Sequence, residues 1–250
     1  MDDCGRVESE RSYVLSIEQA PKSSRLEWPS ESICRDGVGG EIIEGPELET
    51  AGRNQIMNDA EICRQPEAVR GIVSDTEAMS FTMVSEAKVG SLLATLAASK
   101  PAGRFLELGT GTGHGTAWLL AGMDAASTLD TVDTDEHVVD VARRHLGGDT
   151  RVTFHVMDGA KYLRGASPRQ FDLIYADAWP GKFSDLEEAL ALLRPGGIYV
   201  IDDLLPQANW PEGHAPKVPA LVADLERRDE FNTVKLAWAS GLMLVVRRAG

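Results

Sequence analysis

The sequence predicts an α/β fold, a mostly parallel sheet doubly wound with helices on both faces. Three observations predict it. From residue 101 onward, short strand-like runs alternate with helical patterns, an order that demands crossover connections and parallel strands. A glycine-rich turn, Gly109-Thr110-Gly111-Thr112-Gly113-His114-Gly115, separates the first strand from the helix after it. Acids recur just past the strand ends, at Asp133, Asp158, Asp177 and Asp202-Asp203, where such a sheet presents its ligand-binding edge.

The elements follow in order. Residues 54–70 read as a helix broken near Pro66. From Val84 to Ser99, Val89, Leu92, Leu93 and Leu96 share one helical face, and Pro101 and Gly103 end that helix. Arg104–Leu108 is a buried strand, and the helix after the glycine turn runs through Trp118-Leu119-Leu120. Thr128–Val132 is a strand, Glu136–Leu146 a helix, Arg151–Met157 a strand and Phe171–Ala176 a strand. Asp185–Leu193 is a helix stopped by Pro195-Gly196-Gly197, followed by the strand Ile198–Ile201 and the helix Val218–Arg228. Thr233–Trp238 and Leu242–Val246 form an antiparallel hairpin about Ser240-Gly241, which brings the sheet to seven strands.

The bulk numbers bound the function. The formal net charge is −14, a field that repels phosphate backbones, so nucleic acid is excluded as a partner. No apolar run reaches the roughly 18 residues of a membrane helix, and the acidic start lacks the order of a secretory signal. A cytoplasmic protein without membrane partners is the default. Cys4, Cys34 and Cys63 are odd in number and widely spaced, which predicts reduced thiols. Residues 1–50 hold twelve Asp/Glu against five Lys/Arg and show no sustained apolar period. They read as an acidic, flexible extension. The folded domain is expected over 51–250, with N-terminal helices in 51–100 and the core in 101–250.

The glycine turn is the strongest chemical signal. Glycines let the backbone turn sharply and approach a ligand closely, and the helix start offers free N–H groups. The pattern is ExGxGxG from Glu107; the dinucleotide fingerprint GxGxxG fails in both registers, which disfavours a nicotinamide oxidoreductase. No Gly-Lys-Ser/Thr follows, so it is not a P-loop. Asp133 stands 26 residues after Glu107, at the end of the second strand, where a Rossmann sheet places a carboxylate on ribose hydroxyls. Asp135 reads as the cap of the following helix.

On these residues, with Ala87-Lys88, Leu92-Leu93, Phe171-Asp172-Leu173-Ile174-Tyr175-Ala176-Asp177 and Leu192-Leu193-Arg194-Pro195-Gly196-Gly197, the chain resembles class I S-adenosylmethionine-dependent methyltransferases. Among them it is similar to small-molecule O-methyltransferases of the catechol type, over about residues 76 to 248. The resemblance implies a Rossmann-like fold and S-adenosylmethionine as cofactor. It implies that Gly109, Gly111 and Gly113 pass under the methionine part and that Glu107 helps hold its amino group. Asp133 would take the ribose hydroxyls and Asp158 the adenine amine. Val84 would touch the cofactor from the preceding loop, with Asp177 and Trp179 beside it. Asp158, before Gly159, also reads as a simple turn residue.

Asp177, Asp202 and Asp203 end adjacent strands, and three clustered carboxylates call for something positive between them. The resemblance implies magnesium or another divalent cation there. Two departures stand out. The family has Asp-Asn where this chain has Asp202-Asp203, and its catalytic lysine falls at Pro180, with Lys182 two residues on. The acceptor's proton would pass to Lys182, to His214, or to a metal-bound site at Asp177. Trp179, Trp210 and His214 lie in loops that could wall a flat substrate.

The expected function is methyl transfer to a hydroxyl oxygen of a small-molecule acceptor, with metal assistance an option. N-methylation of a small amine, or S-adenosylmethionine binding without catalysis, are the alternatives. A homodimer is among the assemblies open to the chain.

Overall fold

A strand covered on both faces must be apolar on both faces, and that requirement places the centre of the sheet. In a computed structural model, which describes residues 58–59 and 64–249, β1 (Arg104–Leu108) and β4 (Phe171–Ala176) lie side by side, buried along almost all of their length. Beside β1 run β2 (Thr128–Asp133) and β3 (Val152–Val156); beside β4 runs β5 (Leu193–Ile201). All five are parallel. β7 (Leu242–Arg247) pairs antiparallel with β5, and β6 (Phe231–Leu236) closes the edge against β7. The order is β3-β2-β1-β4-β5-β7-β6, the doubly wound seven-stranded sheet with its terminal antiparallel pair.

Alternation along the strands splits the core in two. Leu106, Leu108, Ile174, Tyr199 and Ile201 join one buried cluster. Phe105, Leu173, Tyr175 and Val200 join the other, packed under α1 (Glu67–Ala78), α2 (Ala87–Ala98) and α3 (His114–Gly122). Backbones approach closely here. A Cβ on Gly122 would lie 2.0 Å from the Ala94 carbonyl oxygen, and one on Gly90 would fall 2.3 Å from the Trp118 ring. Between the strands come α4 (Glu136–Leu146), α5 (Gly159–Gly165), α6 (Leu186–Ala191) and α7 (Val218–Glu226). As expected, Asp135 caps α4, accepting from the His137 N–H.

Several boundaries differ from those expected. Of the helix expected over 54–70, residues 54–57 and 60–63 lie outside the described residues; the described α1 begins at Glu67, after Pro66, and runs on to Ala78. Helix α5 is new: Asp158 caps it, accepting from the Lys161 N–H at 2.8 Å. Pro195-Gly196-Gly197 does not separate a helix from a strand but lies inside β5, which pairs with β4 through a register shift between Phe171 and Leu173. Gly196 takes φ +75° there with nothing within 4 Å of its Cβ position, so the strand kinks at the surface instead of ending. β6 starts two residues before the expected Thr233. The extension over 1–50, its boundary near residue 51 and the three cysteines lie outside the described residues.

Candidate functional site

The order of strands reverses between β1 and β4, and ligands of such sheets bind beyond that switch point. A cavity of about 410 Å³ opens there. Gly109, just past β1, packs so tightly on the segment after β4 that a Cβ would lie 2.5 Å from the Asp177 carbonyl oxygen; its φ is +102°. Gly111 faces the cavity with only the Phe81 ring near its Cβ position, at 3.6 Å. Its N–H donates to Asp133 Oδ2 at 2.8 Å, and Asp133 Oδ1 accepts from the Asp135 N–H. The glycine turn and the acid of β2 thus hold each other in place, with Asp133 lining the cavity.

Two residues of the ExGxGxG pattern stay off the cavity lining. Gly113 does not line the cavity; it begins α3 at φ +93°, its Cβ position 2.7 Å from Ala142 on α4, so it serves helix packing. Glu107 lies beneath the turn, fully buried. Its Oε2 accepts from Thr116 and Thr131 hydroxyls, and its Oε1 is buried with no partner. Burial pushes the carboxyl up to about 7, against the pull of those two hydroxyls. Asp158 is exposed, caps α5 and stays off the cavity lining.

Around the far side of the cavity stand Val84, Asp177, Trp179, Lys182, Asp202, Asp203, Trp210 and His214. Lys182 is brought in by a tight turn after β4. The Lys182, Phe183 and Ser184 N–H groups all point back at the Trp179 carbonyl, and the Tyr199 hydroxyl donates to the Gly181 carbonyl at 2.6 Å. Only glycine fits at 181, where φ is +85° and a Cβ would meet Leu108 at 2.5 Å. The Lys182 side chain is 2% exposed, its Nζ 3.8 Å from Asp203 Oδ2. Lys182 thus stands two residues past the place of the family's lysine, and the turn still brings its side chain to the cavity.

His214 is stacked on Trp210, ring centroids 4.3 Å apart, and meets the Phe183 ring edge-on. Its Nε2 lies 3.0 Å from the Asp203 carbonyl oxygen, which can only accept, so Nε2 carries the proton and Nδ1 keeps its lone pair. Burial holds the imidazole below its ordinary value, against the pull of that hydrogen bond, so it is neutral at neutral pH.

The acids divide. Burial first, and the neighbouring Asp202 second, push the Asp177 carboxyl well above the usual carboxylate range. Asp202 is 1% exposed, and its carboxylate is enclosed by donors: the Tyr175 hydroxyl at 2.6 Å, the Asp203 N–H at 2.7 Å and the Ser240 hydroxyl. Asp203, with φ +59°, carries its side chain toward Lys182. Among the described residues no three His, Cys, Asp or Glu side chains stand together as a metal-binding group. The donor set therefore does not fit the divalent cation expected on Asp177, Asp202 and Asp203. The physical reason is that one carboxylate is spent on hydroxyls and an amide, and another on an ammonium.

The cofactor fits better. The glycine cradle at Gly111 and the carboxylate of Asp133 both line the cavity and suit an amino acid joined to a ribose. Gln207 and Asn209, from the loop of Trp210 and His214, line the cavity too, but sequence reasoning missed Phe81, Met83, Ser85 and Glu86, which line it from the segment before α2. They carry no motif, and Val84 alone marked their segment. The Asn209 amide donates to the Thr82 carbonyl at 3.1 Å, linking the two segments.

Residues 106–204 match the sequence family described as a methyltransferase domain. A protein of Mycobacterium avium (strain 104) assigned as an O-methyltransferase is 30% identical over 118 residues, covering 45% of this chain and 53% of that protein. A like-named protein of Mycobacterium tuberculosis (strain ATCC 25177 / H37Ra) is 31% identical over 118 residues, with the same coverage, 45% and 53%. The chain thus spans about half the length of the curated relatives it matches. Among solved structures, a protein from Klebsiella pneumoniae assigned as an O-methyltransferase is 25% identical, with a TM-score of 0.66 over 79% of this chain and 97% of that one. The O-methyltransferase TomG from Streptomyces achromogenes, involved in tomaymycin synthesis and solved with SAM, is 22% identical, with a TM-score of 0.64 over 76% and 94%. At that identity it speaks for the fold alone. The fold is that of Rossmann-like methyltransferases, residues 106–204 are similar to a methyltransferase domain, and the resemblance to O-methyltransferases stands.

Proposed function

We propose that this chain is an S-adenosylmethionine-dependent O-methyltransferase acting on a small, flat acceptor. One observation carries the reading: a single cavity joins the Gly109–Gly111 turn and Asp133 to Lys182 and His214. When bound, the cofactor supplies an electrophilic methyl group. The chain's task is to place an oxygen in line with it and to remove that oxygen's proton. Asp133 would hold the ribose, Gly109 and Gly111 would leave room for the chain of the amino acid, and Glu107 would accept from its ammonium below the turn. Val84, Asp177 and Trp179 line the same space. Asp158 would reach an adenine amine only from beyond the cavity lining.

Trp179 and Trp210 would wall a planar ring. His214 Nδ1 would take the hydroxyl proton, needing no unusual pKa to do so. The Lys182 ammonium would hold the resulting oxyanion. Proton and charge are thus handled by two side chains fixed through Asp203, one at its carbonyl and one at its carboxylate. No step here is routed through a metal. The acceptor would be a small molecule, and the cavity's carboxylates leave nucleic acid out of account.

The test is methyl transfer from labelled S-adenosylmethionine to a panel of phenols, catechols and amines. Transfer to phenols, lost in His214→Ala and in Lys182→Met while S-adenosylhomocysteine still binds, is the expected result. Calorimetry showing no binding of either cofactor form would end the proposal, and transfer confined to amines would redirect it to nitrogen.

A further inference from the structure

Two carboxylates at the rim of the sheet face one another across a hydroxyl. Tyr175, near the end of β4, is fully buried among the residues under α2 and α3. Its hydroxyl donates to Asp202 Oδ2 at 2.6 Å. The same oxygen stands 3.2 Å from Asp177 Oδ2 and 3.1 Å from Ser85 Oγ. Ser85 in turn donates to Asp177 Oδ2 at 3.1 Å. Beyond Asp202, the Ser240 hydroxyl and the Asp203 N–H take its other oxygen.

A divalent cation shared by two carboxylates needs an oxygen of each turned toward one point about 2.0–2.6 Å away. Here the Tyr175 oxygen lies within hydrogen-bonding distance of both Asp177 Oδ2 and Asp202 Oδ2, at 3.2 and 2.6 Å, where such a cation would have to sit. The remaining acid, Asp203, is matched by the Lys182 ammonium at 3.8 Å. Every negative group of the rim has a protein-borne partner.

We propose that Tyr175 closes this rim to divalent cations, so that methyl transfer in this protein runs without a metal. The inference rests on the methyl-transfer reading above and departs from the metal site that the family resemblance implies. Tyr175 is a positioning residue: it holds Asp177 and Asp202 together and touches no reacting atom. A consequence for the acceptor follows. With no cation to chelate, a second neighbouring oxygen adds nothing to its binding, and a monophenol competes on equal terms with the matching catechol.

Manganese paramagnetic resonance tests this on the whole chain, since free manganese loses its signal on binding. Wild-type protein saturated with S-adenosylhomocysteine should leave the free signal unchanged into the millimolar range. Tyr175→Phe keeps the ring and removes only the hydroxyl. It should acquire manganese binding, and the further change Asp177→Asn should abolish it. Calorimetry with S-adenosylhomocysteine on each protein reports the cofactor site separately; its failure would strike the methyl-transfer reading and leave the metal question standing. Manganese binding by wild type that Asp177→Asn removes would overturn the proposal, as would a folded Tyr175→Phe that binds none. If Tyr175→Phe does not fold, transfer by the exhaustively chelated wild-type enzyme decides: full activity upholds metal independence, and loss restored by magnesium refutes it.

Discussion

Glu107 is the residue at which burial and chemistry pull hardest against each other. Its folded-state pKa of about 7 lies above the ordinary 4.5, so the folded protein keeps a proton that the unfolded chain releases. That contribution is whole below about pH 4.5 and is lost as pH rises toward 7, a fall of about 3 kcal/mol if nothing else relaxes. Glu107→Gln cannot ionise. Its stability relative to wild type, read by denaturant unfolding, should therefore be higher at about pH 8 than at about pH 5. An equal difference at both pH values would mean the carboxyl titrates normally. A ligand ammonium placed at Oε1 favours the ionised form, so cofactor affinity should weaken as pH falls below about 7. At Asp133 the expectation is simpler. Asp133→Ala removes the proposed ribose acceptor and frees the Gly111 N–H, and should cost about 1–3 kcal/mol of S-adenosylhomocysteine binding by calorimetry.

At the scale of elements, the helices under the first strands are held by absent side chains. Gly122 ends α3 against the Ala94 backbone, and no rotamer change can make room for a methyl group beside a carbonyl 2.0 Å away. Gly122→Ala should lower stability by about 1–3 kcal/mol, seen as a fall in melting temperature, with cofactor affinity in the surviving folded protein unchanged. A neutral result would show that α2 and α3 slide past each other freely. The turn after β4 is the element on which the proposed chemistry depends. Tyr199→Phe removes the hydrogen bond to the Gly181 carbonyl and should cost about 0.5–1.5 kcal/mol of stability. It should lower kcat more than it raises KM, because Lys182 is displaced while the aromatic walls remain; the reverse split would show that the turn only binds.

For the whole molecule, charge and composition govern. Residues 1–50 carry too little apolar sequence to bury, so a chain beginning at Ala51 should fold and bind S-adenosylhomocysteine as the full chain does. A large fall in melting temperature would show that the extension contributes to the core. Among the described residues no helix is long and apolar enough to cross a membrane. The net charge of −14 adds a second expectation: anionic phenols should be poorer acceptors than neutral ones at low salt, and the gap should narrow as salt screens the field.

Read as letters alone, the chain already determined its fold class and marked the turn at which its cavity opens. The alternation of strand and helix is a local pattern that needs only neighbours in sequence to have its meaning; of the ExGxGxG pattern, Gly109 and Gly111 line the cavity with Asp133, while Glu107 and Gly113 do not. The kinked β5, the extra helix capped by Asp158 and the packing role of Gly113 were not legible, because a glycine or an aspartate carries no mark of which element will press on it. The rim of acids shows the limit most clearly. Asp177, Asp202 and Asp203 look alike in sequence, three carboxylates at strand ends. Only the tertiary structure set Tyr175 and Ser240 on one, Ser85 on another and Lys182 on the third. Whether clustered charge calls for a cation depends on which donors other segments bring within hydrogen-bonding distance, and those segments lie up to 92 residues away along the chain.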